Sequence, residues 1–175
     1  GLALPAYSQA ATTATTQSAQ QANPFFAESP LPLHYPQFDK IKDADFAPAF
    51  DAGMAQQLQE VEAIANNPAA PTFENTLIAL ENSGAVLDRA TTVFFSLIGA
   101  DTNDARKKLQ ADYSAKFAAH GDAINLNGKL FSRIETLYNN RAKLGLDAES
   151  LRLVEKYRDN FVRAGAKLGD ADKAK

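Results

Sequence analysis

Two histidines, His34 and His120, are the only imidazoles in the 175-residue chain, and cysteine is absent. A mononuclear metal site draws on several His, Cys or carboxylate ligands, often with two His one helical turn apart. Here the two histidines lie far apart in sequence. Tyr35-Pro36-Gln37-Phe38 follows the first and Gly121-Asp122-Ala123-Ile124 the second, so neither opens a His-Glu-x-x-His pattern. They read as a loop histidine and a helix-surface histidine. With no cysteine there is no thiol nucleophile, disulfide or thiolate ligand. Gly-x-Ser-x-Gly, Ser-x-x-Lys and a Gly-rich phosphate loop are absent as well. The close carboxylate pairs, Glu60/Glu62 and Asp43/Asp45, read as solvated faces or caps, because nothing places two of them in a shared pocket. No catalytic, cofactor-binding or metal residue is assigned, and substrate-binding residues stay unassigned.

The elements that would have to carry any site are helical. Asp45 can cap a first helix whose third residue is Pro48. Its apolar positions, Phe46, Phe50, Met54, Leu58, Val61 and Ile64, form one stripe. Asn66-Asn67-Pro68 ends it. Pro71-Thr72-Phe73-Glu74 starts a second helix, with Thr72 as N-cap and an acidic first turn. Its stripe runs Leu77, Leu80, Gly84, Leu87, Thr91, Phe94 and Ile98, and Gly84 would let a neighbouring backbone come close. Val93–Ile98 is apolar round much of the helix and calls for burial on several sides. After a loop at 99–104, a third helix carries Leu109, Tyr113, Phe117 and Ile124, and breaks at Asn127-Gly128. A fourth carries Leu130, Ile134, Leu137 and Tyr138, with Gly145 as its left-handed stop. Asp147 caps a fifth, with Leu151, Val154, Tyr157, Phe161 and Leu168. No segment alternates with period two. The fold class is all-α: an array of about five antiparallel helices preceded by an extended Pro-rich arm.

Three regions follow. Residues 1–22 carry no charge. Ser8-Gln9-Ala10 within them fits the small-x-small cleavage pattern of an export signal, and a low-complexity leader is the other reading. Residues 23–38 hold Pro24, Pro30, Pro32 and Pro36, which favour an extended arm, and the apolar residues between them should lie against the body. Residues 39–175 form the helical domain. Gly169 closes one helical pattern and Asp170 opens another, so the sequence reads as the front piece of a larger protein. The formal net charge of -3 argues against non-specific nucleic-acid binding. No run of 18 or more apolar residues is present to span a membrane.

Several segments in order carry a family likeness. Asn23-Pro24-Phe25-Phe26, Leu31-Pro32, Phe38-Asp39-Lys40-Ile41 and Asp45-Phe46-Ala47-Pro48-Ala49-Phe50 resemble the opening of the thimet-oligopeptidase-type zinc peptidases. Pro71-Thr72-Phe73-Glu74-Asn75-Thr76 with Ala79-Leu80-Glu81 resembles their second helix start. Leu130-Phe131, Leu151-Arg152-Leu153-Val154-Glu155 and Phe161-Val162-Arg163-Ala164-Gly165-Ala166-Lys167-Leu168 continue the match over residues 23–175. The last of these, with Ala171-Asp172-Lys173-Ala174-Lys175, is most similar to the bacterial peptidyl-dipeptidase branch (dipeptidyl carboxypeptidase).

The resemblance implies a helical, two-lobed enzyme with a channel between its lobes. It implies zinc in the full-length protein, held by a His-Glu-x-x-His helix and a downstream Glu. It also implies release of C-terminal dipeptides from short peptides. None of those catalytic residues falls in this sequence, so the chain is expected to be inactive alone and to help wall the channel. An endo-acting oligopeptidase of the same family, or a stand-alone helical protein-binding module, are the alternatives. Expected partners are the rest of its own chain and short peptides, with self-association of the isolated chain. The expected location is exported or periplasmic, with the cytoplasm as alternative.

Overall fold

The computed structural model describes residues 23–167. The leader, Leu168 and the capping signal at Asp170 lie outside the described residues. Five long helices follow the arm: α1 (Asp43–Ala65), α2 (Ala85–Ala100), α3 (Asp104–Asn125), α4 (Gly128–Asn140) and α5 (Ala148–Arg163). No strand occurs among the described residues. A short helical segment, Phe73–Glu81, opens with a π turn and lies between α1 and α2. The arm is extended, with two 3-10 turns at Pro24–Phe26 and Pro32–His34, each led by a proline.

Side-chain caps fix most helix starts. Asn103 accepts from the Arg106 N–H at 2.8 Å, Asn127 from Leu130 at 2.9 Å and Asp147 from Ser150 at 2.8 Å. Thr72 and Asn75 cap each other reciprocally, at 3.0 and 2.8 Å. Two expectations need correction. Asp45 is not the N-cap of α1. Its carboxylate reaches back to the Lys42 N–H at 2.8 Å, so the helix starts at Asp43 and Pro48 sits inside it. The expected second helix is two pieces. Asn82-Ser83-Gly84 breaks it, with Gly84 at φ +74° in the left-handed region. Gly145, at φ +64°, sits in that region as expected.

The core divides into two apolar clusters. The first gathers Phe25, Phe46, Phe50, Val93, Phe94 and Tyr113. Phe50 meets Phe94 and Phe117 edge-on, with ring centroids 5.3 and 5.1 Å apart. The second gathers Val61, Ile64, Leu77, Leu80, Leu130, Ile134, Leu137, Val154 and Phe161. α1 feeds both, through its first two turns and its last two. Between the clusters its expected stripe fails: Leu58 is 37% exposed. The Val93–Ile98 segment is likewise one-sided. Val93 and Phe94 are buried, whereas Phe95 is 47% exposed.

The close backbone approach belongs to Gly53, not Gly84. A Cβ added at Gly53 would stand 2.7 Å from the Leu87 backbone nitrogen, so α1 and α2 touch main chain to main chain there. A Cβ at Gly84 would instead strike the Gln57 side chain at 2.5 Å. Backbone atoms cannot swing aside as a flexible side chain can. Gly53→Ala should therefore lower stability by about 1–3 kcal/mol in urea denaturation, the usual cost of overpacking a filled contact.

Candidate functional site

One polar cluster lies where helices meet and another beside the arm. The first is a seam between the apolar clusters, where α1, α2 and α3 meet. Gln57 of α1 is its hub. Its Oε1 lies 2.7 Å from His120 Nε2, and its Nε2 donates to Ser83 Oγ at 3.3 Å. Ser83 Oγ in turn donates to the Leu80 carbonyl at 2.7 Å. Glu60, one α1 turn on from Gln57, accepts the Gly84 N–H at 2.7 Å and the Gln56 amide at 2.8 Å. The seam thus holds the two halves of the broken second helix in register against α1. A cleft of about 430 Å³ opens beside it, bordered by Glu81, Asn82, Asp88 and Thr91.

The hydrogen-bond pattern assigns the state of His120. Since Gln57 presents its carbonyl oxygen, Nε2 is the protonated nitrogen. Nδ1 is buried and has no hydrogen-bond partner among the described residues. Burial holds the imidazole below its ordinary value of 6.5.

The second place is a cleft of about 460 Å³ between the arm and α2, bordered by Glu28, His34, Lys40, Asp88, Arg89 and Val93 among others. Arg89 Nε donates to the Phe25 carbonyl at 3.0 Å. Asn23, itself buried, donates to the Asp45 carbonyl at 2.8 Å and caps the first arm turn by accepting the Phe25 N–H. With Phe25 buried against Phe46, these bonds fasten the start of the arm. His34 Nε2 lies 3.6 Å from Glu28 on the exposed side.

The structure places the two histidines in different settings, one on the arm and one in the seam. The carboxylates singled out in the sequence are also apart in role. Asp43 takes Arg106 at 2.7 Å and Asn103 at 2.9 Å, which ties the start of α1 to the start of α3. The Asn103 amide first, and the Arg106 guanidinium after it, hold the Asp43 carboxyl below the usual range. Asp45 closes the α1 start and Glu60 holds Gly84. Glu62 accepts from Asn66 at the end of its own helix. No group of three or more His, Cys, Asp or Glu side chains among the described residues is placed to hold a metal ion.

The sequence gives no sign that three polar residues are buried. Arg133 of α4 donates to the carbonyls of Asn67 and Ala69, at 2.9 and 3.0 Å, and to Asn75 Oδ1 at 2.8 Å. It thereby pins the loop after α1. Thr76 and Asn23 are the other two. Tyr113 of α3 donates to Asp51 at 2.9 Å. Burial, helped by that bond, pushes its hydroxyl up to about 12. Arg133 Nε itself is buried without a hydrogen-bond partner among the described residues.

No protein-family model matches the sequence. Over 153 residues the chain is 50% identical to the dipeptidyl carboxypeptidase of Salmonella typhimurium, and equally to that of Escherichia coli. The alignment takes in 87% of this chain and 22% of each relative. This chain resembles the bacterial dipeptidyl carboxypeptidases. It spans about a fifth of the length of these curated relatives, and the likeness agrees with the family motifs read from the sequence. Among the described residues, no helix is long and apolar enough to cross a membrane.

The seam makes stability depend on pH. As pH falls through 6.5 the unfolded His120 takes up a proton that the folded one resists. The unfolded state then binds more protons, so stability falls on the acid side and is unaffected well above that value. Between about pH 7.5 and about pH 5.5 the urea midpoint of the native chain should drop further than that of His120→Gln. Equal drops would remove His120 as the cause.

Proposed function

We propose that this chain is a non-catalytic helical part of a zinc peptidyl-dipeptidase that releases C-terminal dipeptides from short peptides, and that it helps wall the substrate channel. The observation that carries the reading is the 50% identity to two dipeptidyl carboxypeptidases over a segment amounting to 22% of their length. Supporting it, Asp43, Asp45, Gln57, Glu60 and Arg133 are engaged in caps, seams and loop ties. Zinc, in this reading, is held by residues outside this chain, where it would polarise the attacking water. What these residues supply is shape: two packed clusters that share α1. Export to the periplasm is part of the proposal and rests on the Ser8-Gln9-Ala10 pattern.

Exposed Phe95 favours a second reading, a helical module that binds a protein partner. An assay separates the two. The isolated chain supplied with zinc should release no dipeptide from a blocked short peptide. The full-length protein should release dipeptides from the C-terminus and lose that activity when the metal is chelated. Dipeptide release by the isolated chain would overturn the non-catalytic assignment. Internal cleavage by the full-length protein would point to an endo-acting oligopeptidase.

A further inference from the structure

The arm is fastened at its start and bare farther on. Leu31, Leu33, Tyr35 and Phe38 are all exposed, Leu33 to 98% and Tyr35 to 62%. Tyr35 and Phe38 pack edge-on against each other at 5.7 Å and remain open to solvent. Four large apolar side chains within eight residues make a dense outward patch.

The segment has a defined shape. Ser29 Oγ donates to the Tyr35 carbonyl at 2.6 Å and accepts the Leu31 N–H at 3.3 Å. His34 Nδ1 lies 3.1 Å from the Ser29 carbonyl. The His34 N–H donates to the Leu31 carbonyl at 2.9 Å. Residues 29–35 are thus pinched into a closed turn with Leu33 near its tip. At that tip the backbone is in the left-handed region at two successive non-glycine residues, Leu33 at φ 56° and His34 at φ 53°. Leucine has no local reason to adopt this conformation, since its side chain cannot hydrogen-bond its own backbone. Such strain persists when something else rewards it. Nothing within the described residues buries the Leu33 side chain.

The relatives indicate what could. The matched segment is 22% of their length, so a full-length protein of their size brings most of its surface from outside these residues. We infer that the turn at residues 29–35 is a preformed knob, with Leu33 and Tyr35 as its contact residues, that docks into an apolar pocket on the part of the full-length protein lying outside this chain. The closed turn lowers the ordering cost of that contact. The arm then works as a strap. Phe25, Asn23 and Arg89 fix one end to the helical body, and the knob fixes the other to the remaining lobe. This inference rests on reading the chain as part of a longer protein, and does not depend on the chemistry that protein performs.

The test uses Leu33→Cys in the full-length protein, the present chain contributing no cysteine of its own. Residue 33 should react with a maleimide at least about tenfold more slowly in the native protein than in the urea-unfolded one. Labelling is located by peptide mapping. Equal rates would overturn docking. A second variant, Leu33→Gly, suits the left-handed backbone and deletes the knob. It should leave the isolated chain as stable or raise its melting temperature by about 2–4 °C, and should lower that of the full-length protein. A change of the same sign in both would overturn the proposal. So would protection at residue 33 that vanishes on dilution, which would mark a second copy as the occupant. Dipeptide release measured on the same samples keeps the two readings distinguishable. A protein that docks the knob yet cleaves no peptide refutes only the peptidase assignment.

Discussion

The constraint on which the rest depends is that one helix serves two cores. α1 gives Phe46, Ala49 and Phe50 to the first apolar cluster and Val61, Ile64 and Ala65 to the second. Its middle turns cannot be apolar on the same face, because there it meets a helix start. Gly53 lets the α2 backbone come into contact, and Gln57 and Glu60 then satisfy the polar groups that the break at Asn82-Ser83-Gly84 exposes. The order small, amide, carboxylate along α1 follows from what lies across from each turn. Buried backbone N–H groups need partners, and Glu60 supplies one to Gly84.

The same constraint assigns the polar side chains. Arg133 and Asn75 hold the loop after α1, and Asp43 with Arg106 and Asn103 joins two helix starts. Asn23 and Arg89 fasten the arm.

Much of the fold was legible in the sequence, and the exceptions have physical causes. The starts at Thr72 and Asp147 are read directly, because a short polar side chain before an apolar-periodic run has one efficient use. The break in the second helix was hidden. Leu80, Gly84 and Leu87 keep helical spacing across it, so periodicity alone runs straight through. Leu58 misled for the related reason that a stripe records what is apolar and not where a core stops. Asp45 has the residue type of a cap but works three residues back, on the Lys42 N–H, a distinction that depends on the rotamer. The site was less legible. Arg133 sits among helix formers and looks like a surface residue until the loop carbonyls of Asn67 and Ala69 are placed over it. The left-handed turn at Leu33 and His34 carries no glycine or asparagine to announce it.

If α1 joins the two clusters mechanically, the clusters cannot open independently. Native-state hydrogen exchange along α1 measures this directly. The account predicts that amides around Phe50 and around Val61 exchange with one common opening free energy, equal to that of global unfolding. Opening free energies that differ between the two ends by more than about 1 kcal/mol would contradict it and divide the chain into separate units.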